Sequence, residues 1–178
     1  MKQQHRRPGL VWLSPLRISF LTDLHSTHRK LYSGGGTGQA IHAASDLRQR
    51  RIVFDRALLS NSAELRRIVM HELFHFAWIR LGNPARRQWE QILVAELRAG
   101  ARGELGWSAE RRKRELSTTD RRHRSRSWRE YACESFCDSA AWLLTGMPAH
   151  EEATLALKHA HRRAEWFISL FHTRGVTI

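Results

Sequence analysis

Residues 62–81 read as one helix with almost no polar face: Leu65, Ile68, Val69, Leu73, Phe74, Phe76, Trp78 and Leu81 go nearly round the cylinder. A helix of that kind is a central element packed on several sides, so the remainder of the chain must be arranged around it. Asn61 or Ser62 supplies an N-cap, Glu64 lies in the first turn, and Gly82 followed by Pro84 stops it. Into this apolar cylinder the chain inserts His71-Glu72-Leu73-Phe74-His75. Burying two imidazoles and a carboxylate without partners costs several kcal/mol, so these groups require something to bind.

Histidines four apart on a helix share a face and reach a single tetrahedral cation, with Glu72 projecting beside them. A zinc ion (Zn2+) and its water would supply the missing partners. Zinc then needs at least one more protein ligand. Glu130, Glu134 and Asp138 recur at fourfold spacing along a second helical stretch, 128–144, where three stacked carboxylates repel one another unless a cation sits against them. Spacing alone leaves Glu130 and Glu134 both open as the ligand.

The H-E-x-x-H pattern at 71–75, followed downstream by Glu134-Ser135-Phe136-Cys137-Asp138, resembles the gluzincin branch of zincin-type metallopeptidases, whose third ligand is a Glu in the form E-x-x-x-D. The resemblance spans residues 51–144. It implies that His71, His75 and Glu134 bind the metal, with Glu130 as the alternative ligand. It further implies that Asp138 orients a ligand imidazole through the ring nitrogen away from the metal, and that Glu72 is the general base. The substrate implied is a peptide or protein, aligned along a sheet edge at residues 41–44 or 51–54. The chain departs from the family in an arginine-rich excursion, 98–127, that matches no family element. It also offers no assignable His or Tyr for stabilising a transition state; Tyr131 reads as a core residue.

Residues 16–21, 39–44 and 51–55 carry strand-like runs ahead of the helices. Further helices are expected at 84–99, at 109–116 behind a Ser108 cap, and at 149–173. The fold class is therefore α+β: a small N-terminal antiparallel or mixed sheet of about three strands, then a helical bundle carrying the HExxH helix. At 178 residues, one domain over 1–178 is the expectation. Ser33-Gly34-Gly35-Gly36-Thr37-Gly38 reads as a turn, not a phosphate loop, because no Lys-Ser or Lys-Thr pair follows. Residues 117–127 contain no apolar side chain and read as a mobile basic loop.

Cys133 and Cys137 sit four apart in a helical stretch, where a disulfide has poor geometry, so they read as packing residues in a reducing compartment. The basic start (Lys2, His5, Arg6, Arg7) leads into an apolar stretch broken by Pro15 and Arg17, and no run is long enough to span a bilayer. A cytoplasmic protein without a membrane partner is expected. Only four of the 30 basic residues are Lys (Lys2, Lys30, Lys113, Lys158), and the net charge is +13. Such an arginine bias follows from codon usage and solubility, or from an acidic partner such as nucleic acid held by residues 121–129.

Overall fold

In the computed structural model the described residues are 10–11, 13–27, 30–34, 38–146 and 149–178. The β-branched and aromatic run Arg51–Asp55 (β7) buries Ile52, Val53 and Phe54 together, as only a strand covered on both sides can. It is the middle strand of a mixed sheet. Arg17–Leu21 (β2) pairs with it in parallel and Ala43–Asp46 (β6) antiparallel, with Ala43 opposite Phe54 and Asp46 opposite Arg51. Because β7 is paired on both sides, residues 51–54 have no free edge for a substrate, which removes one of the two expected alignment strands.

A second small sheet, not expected from the sequence, is built from His25–Thr27 (β3), Lys30–Tyr32 (β4) and Gln39–Ala40 (β5) in the order β4-β3-β5. The expected strand 39–44 is thus divided between two sheets. Leu10–Val11 (β1) pairs in parallel with Val176–Thr177 (β8). The basic residues 1–9 and the glycine-run residues 35–37 lie outside the described residues.

Among the described residues six α-helices follow β7: Ser62–Arg80 (α1), Asn83–Arg98 (α2), Trp107–Glu115 (α3), Thr118–His123 (α4), Arg126–Thr145 (α5) and Leu157–Arg174 (α6). The α+β class agrees with the sequence reading. Asn61 caps α1, its side chain accepting from the Glu64 N–H, and Pro84 sits in the first turn of α2. Among the described residues no helix is long and apolar enough to cross a membrane.

Two expectations are corrected. Residues 117–127 are not an irregular loop: Ser117 and Asp120 form a reciprocal capping box that starts α4. Ser125 then caps α5, which starts at Arg126, two residues before the expected Trp128. Arg124, between them, is left-handed (φ 48°) and grips Glu90 of α2 with two hydrogen bonds of 2.7 Å. The last helix begins at Leu157 instead of 149, because the N–H groups of Thr154 and Leu155 are taken by the Glu104 carbonyl.

The core lies where α1 crosses α5, around Phe74, Trp89, Phe136 and Phe167. Beside it runs a buried ionic cluster. Arg163 of α6 has no exposed surface and donates to Glu96 and Glu104, each at a shortest distance of 2.6 Å. Glu104 also accepts from the Tyr131 hydroxyl (2.6 Å), so Tyr131 belongs to this cluster and not to a cleft. Burial alone would raise the Glu104 pKa, but Arg163 outweighs it and holds the carboxyl at about 2, below its ordinary 4.5. A carboxylate depressed in the folded state contributes stability above its unfolded pKa and loses it as pH falls. Denaturant midpoints measured against pH are therefore expected to drop as the pH falls from about 4.5 toward 2. In Glu104→Gln, which no longer titrates, that drop should be shallower from a lower starting stability.

Candidate metal centre

One turn of α1 separates His71 from His75, and α5 crosses that face to bring Glu134 between the two rings. His71 Nε2 lies 3.2 Å from His75 Nε2 and 3.3 Å from Glu134 Oε2, and His75 Nε2 lies 3.9 Å from the same oxygen. Ligands bound to zinc at about 2.0–2.1 Å and tetrahedral angles stand roughly 3.3–3.4 Å apart. The three donors therefore outline one face of a tetrahedron, a group that could hold a metal ion. They line a cleft of about 700 Å³ whose other walls are Gln39 to Ser45 and the start of α3.

Each donor is held from behind. Asp138, one turn after Glu134, accepts from His71 Nδ1–H at 2.7 Å, and its second oxygen accepts the Ala109 N–H of α3 at 3.0 Å. The α3 terminus packs so closely here that a Cβ on Gly106 would overlap the Asp138 carboxylate. Glu134 turns its other oxygen to Arg112 of α3, at 3.2 Å. Glu72 points to the other side of the cleft, where it accepts from the Ser45 hydroxyl of β6. Ser45, Gly106 and Arg112 escaped the sequence reading, since long-range packing and no motif brings them in.

Glu130 is elsewhere. Its side chain is 45% exposed and pairs with Arg126 at 2.7 Å, and it joins neither donor group among the described residues. The structure brings Glu134, and not the alternative Glu130, to the imidazoles. The cysteines expected as packing residues turn both sulfurs to His75: Cys133 Sγ and Cys137 Sγ each lie 3.5 Å from Nδ1. His75, Cys133 and Cys137 form a second group that could hold an ion.

Within the group the charges compensate one another. Burial opposes charge on His71, but the Asp138 charge and hydrogen bond, with Glu134, outweigh it and raise its pKa well above 6.5. Burial likewise lowers His75, yet Cys133 and Glu134 bring it up to about 9. Burial would raise Glu134, but its bond to His71, both imidazoles and Arg112 hold it at about 2. A cation held by this group would have to displace protons from the rings.

Asp138→Asn removes the charge behind His71 but none of the donors. Metal affinity is expected to fall by roughly 10- to 100-fold, as for other carboxylates that orient ligand imidazoles. Competition with a chelating indicator measures it; Glu130→Ala should match the wild type.

No model of a known protein family, no curated protein and no solved structure matches the chain.

Proposed function

We propose that the chain is a zinc-dependent peptidase of minimal gluzincin type, with His71, His75 and Glu134 as metal ligands and Glu72 as general base. The observation that supports it is the spacing of the three donor atoms, near that of a tetrahedral face, at the wall of an open cleft that also contains Glu72. Zinc held by His71, His75 and Glu134 would supply a water acidified toward a pKa of about 7 and a Lewis acid for the carbonyl. Glu72 accepts the proton of the attacking water and passes it to the leaving amine, so the peptide C–N bond breaks to give a carboxylic acid and an amine. Ser45, hydrogen-bonded to Glu72, keeps that carboxylate turned toward the cleft.

Of the expected alignment residues 41–44, Ala43 and Ala44 belong to β6, which is an edge of its sheet and lies along the cleft. An extended peptide adds there by main-chain hydrogen bonds. Arg111 lines the same cleft, stacks on Trp107 at 5.0 Å and has no acidic partner among the described residues, which favours substrates with acidic side chains. The test is incubation of the zinc-loaded protein with unstructured acidic peptides. Cleavage that stops on chelation and returns with zinc is expected; intact peptides beside a zinc-loaded protein would contradict the proposal.

A second reading, binding of a nucleic-acid backbone, is favoured by a groove between α2 and α4. It is lined by Arg87, Arg98, Arg121 and Arg122, none of which has an ion-pair partner among the described residues. Salt-dependent affinity for DNA or RNA that survives Glu72→Gln would support it.

A further inference from the structure

The imidazole of His75 has two nitrogens, and only Nε2 faces His71 and Glu134. Nδ1 sits 3.5 Å from each of two sulfurs, and the three atoms lie within 4.8 Å of one another. Thiols are weak hydrogen-bond partners, so as a device for orienting a ring this pair does less than a single carboxylate such as Asp138 does for His71. As a coordination site its dimensions are apt. Bonds of about 2.3 Å to sulfur and 2.0–2.1 Å to nitrogen, at tetrahedral angles, put the donors roughly 3.5 Å apart. Cys133 and Cys137 stand one turn apart on α5, on the side turned to α1, and both are free thiols.

We propose that Cys133 Sγ, Cys137 Sγ and His75 Nδ1 form a second metal site, for a thiophilic divalent ion such as zinc or cadmium. Two thiolates make this edge of the ring soft, whereas the imidazole and carboxylate donors on the other edge are harder. Each thiol releases its proton to solvent as the ion binds. Where Nε2 is already held by an ion in the first centre, the ring also releases its remaining N–H proton, and His75 bridges the two ions as an imidazolate. Cys137 is buried and Cys133 partly exposed, so the ion enters past Cys133. Occupancy of the thiol side then alters the first centre through the ligand they share. The site stands whether or not that centre hydrolyses peptides.

The chain contains only two cysteines, so any cadmium–thiolate charge-transfer absorption reports this site alone. Titration of the full chain with cadmium is expected to give that absorption, saturating at one equivalent, within a total of two equivalents. His71→Ala and Glu134→Ala should keep the absorption and lose the other equivalent. The Cys133→Ser/Cys137→Ser double variant should lose the absorption and keep the other equivalent. In the wild type, which needs no substitution to remain folded, bound cadmium should shield both thiols from alkylation. Absence of thiolate absorption at saturating cadmium, alkylation unaffected by cadmium, or two equivalents retained by the double variant would each overturn the proposal. Failure of the first centre shows separately, as the missing equivalent that lacks thiolate absorption.

Discussion

Glu72→Gln is expected to lower peptide hydrolysis by roughly 10²- to 10⁴-fold, the usual contribution of a positioned general base, with bound zinc unchanged. The substitution keeps the shape of the side chain and a carbonyl oxygen for the Ser45 hydroxyl, its neighbour on β6. It removes only the capacity to take a proton. Glu72 belongs to neither donor group, so metal content should not follow activity. The loss should fall on kcat, since the peptide is held by the cleft walls and not by this carboxylate. Measuring kcat, KM and zinc in the same preparation checks all three statements. Activity within a few-fold of wild type would remove Glu72 from the mechanism.

The largest expected effect on stability comes from Arg163→Met. The guanidinium is wholly buried between Glu96 and Glu104, whose side chains are 1% and 0% exposed. Methionine fills much of the space but leaves two carboxylates in the interior with Lys113, at 3.3 Å from Glu104, as the nearest compensating cation. Breaking a buried pair by removing one partner costs about 3–5 kcal/mol. At roughly 2–4 °C per kcal/mol for a chain of this size, the unfolding temperature should drop by about 6–20 °C. Arg114→Ala provides the contrast: Arg114 pairs with Glu110 on the surface at 3.0 Å, and such pairs contribute about 0–1 kcal/mol. Thermal unfolding of both variants beside wild type decides it; equal shifts would mean that the buried cluster contributes no more than a surface pair.

What was legible in the sequence was what local signals encode. The limits of α1 followed from Asn61, Gly82 and an apolar pattern that needs no tertiary information. Glu130, Glu134 and Asp138 share a face of α5, so their spacing could not say which of them meets the imidazoles. The crossing of α5 over α1 decides it, although Arg126, four residues before Glu130, was a local hint that this carboxylate is already paired. Helix α4 was missed because no apolar side chain marks it. Its start is set by hydrogen bonds between Ser117 and Asp120, an S-x-x-D signature easily passed over in a basic run. The second sheet was missed because its strands are two or three residues long, too short to show alternation. Ser45, Gly106 and Arg112 lie far along the chain from the residues they support, and no periodicity connects them. Arg163 carries no local signal of its role, since nothing in its own helix reveals the two carboxylates that bury it.

Zinc content of the purified wild type, His71→Ala, Glu134→Ala and Glu130→Ala proteins tests the centre most directly, because His71 and Glu134 belong to the first donor group alone. His71→Ala and Glu134→Ala should each carry one zinc fewer per chain than wild type, and Glu130→Ala the same as wild type. Wild-type zinc content in Glu134→Ala, or loss of zinc on substituting Glu130 instead, would contradict a metal held between the two imidazoles of α1 and the carboxylate of α5.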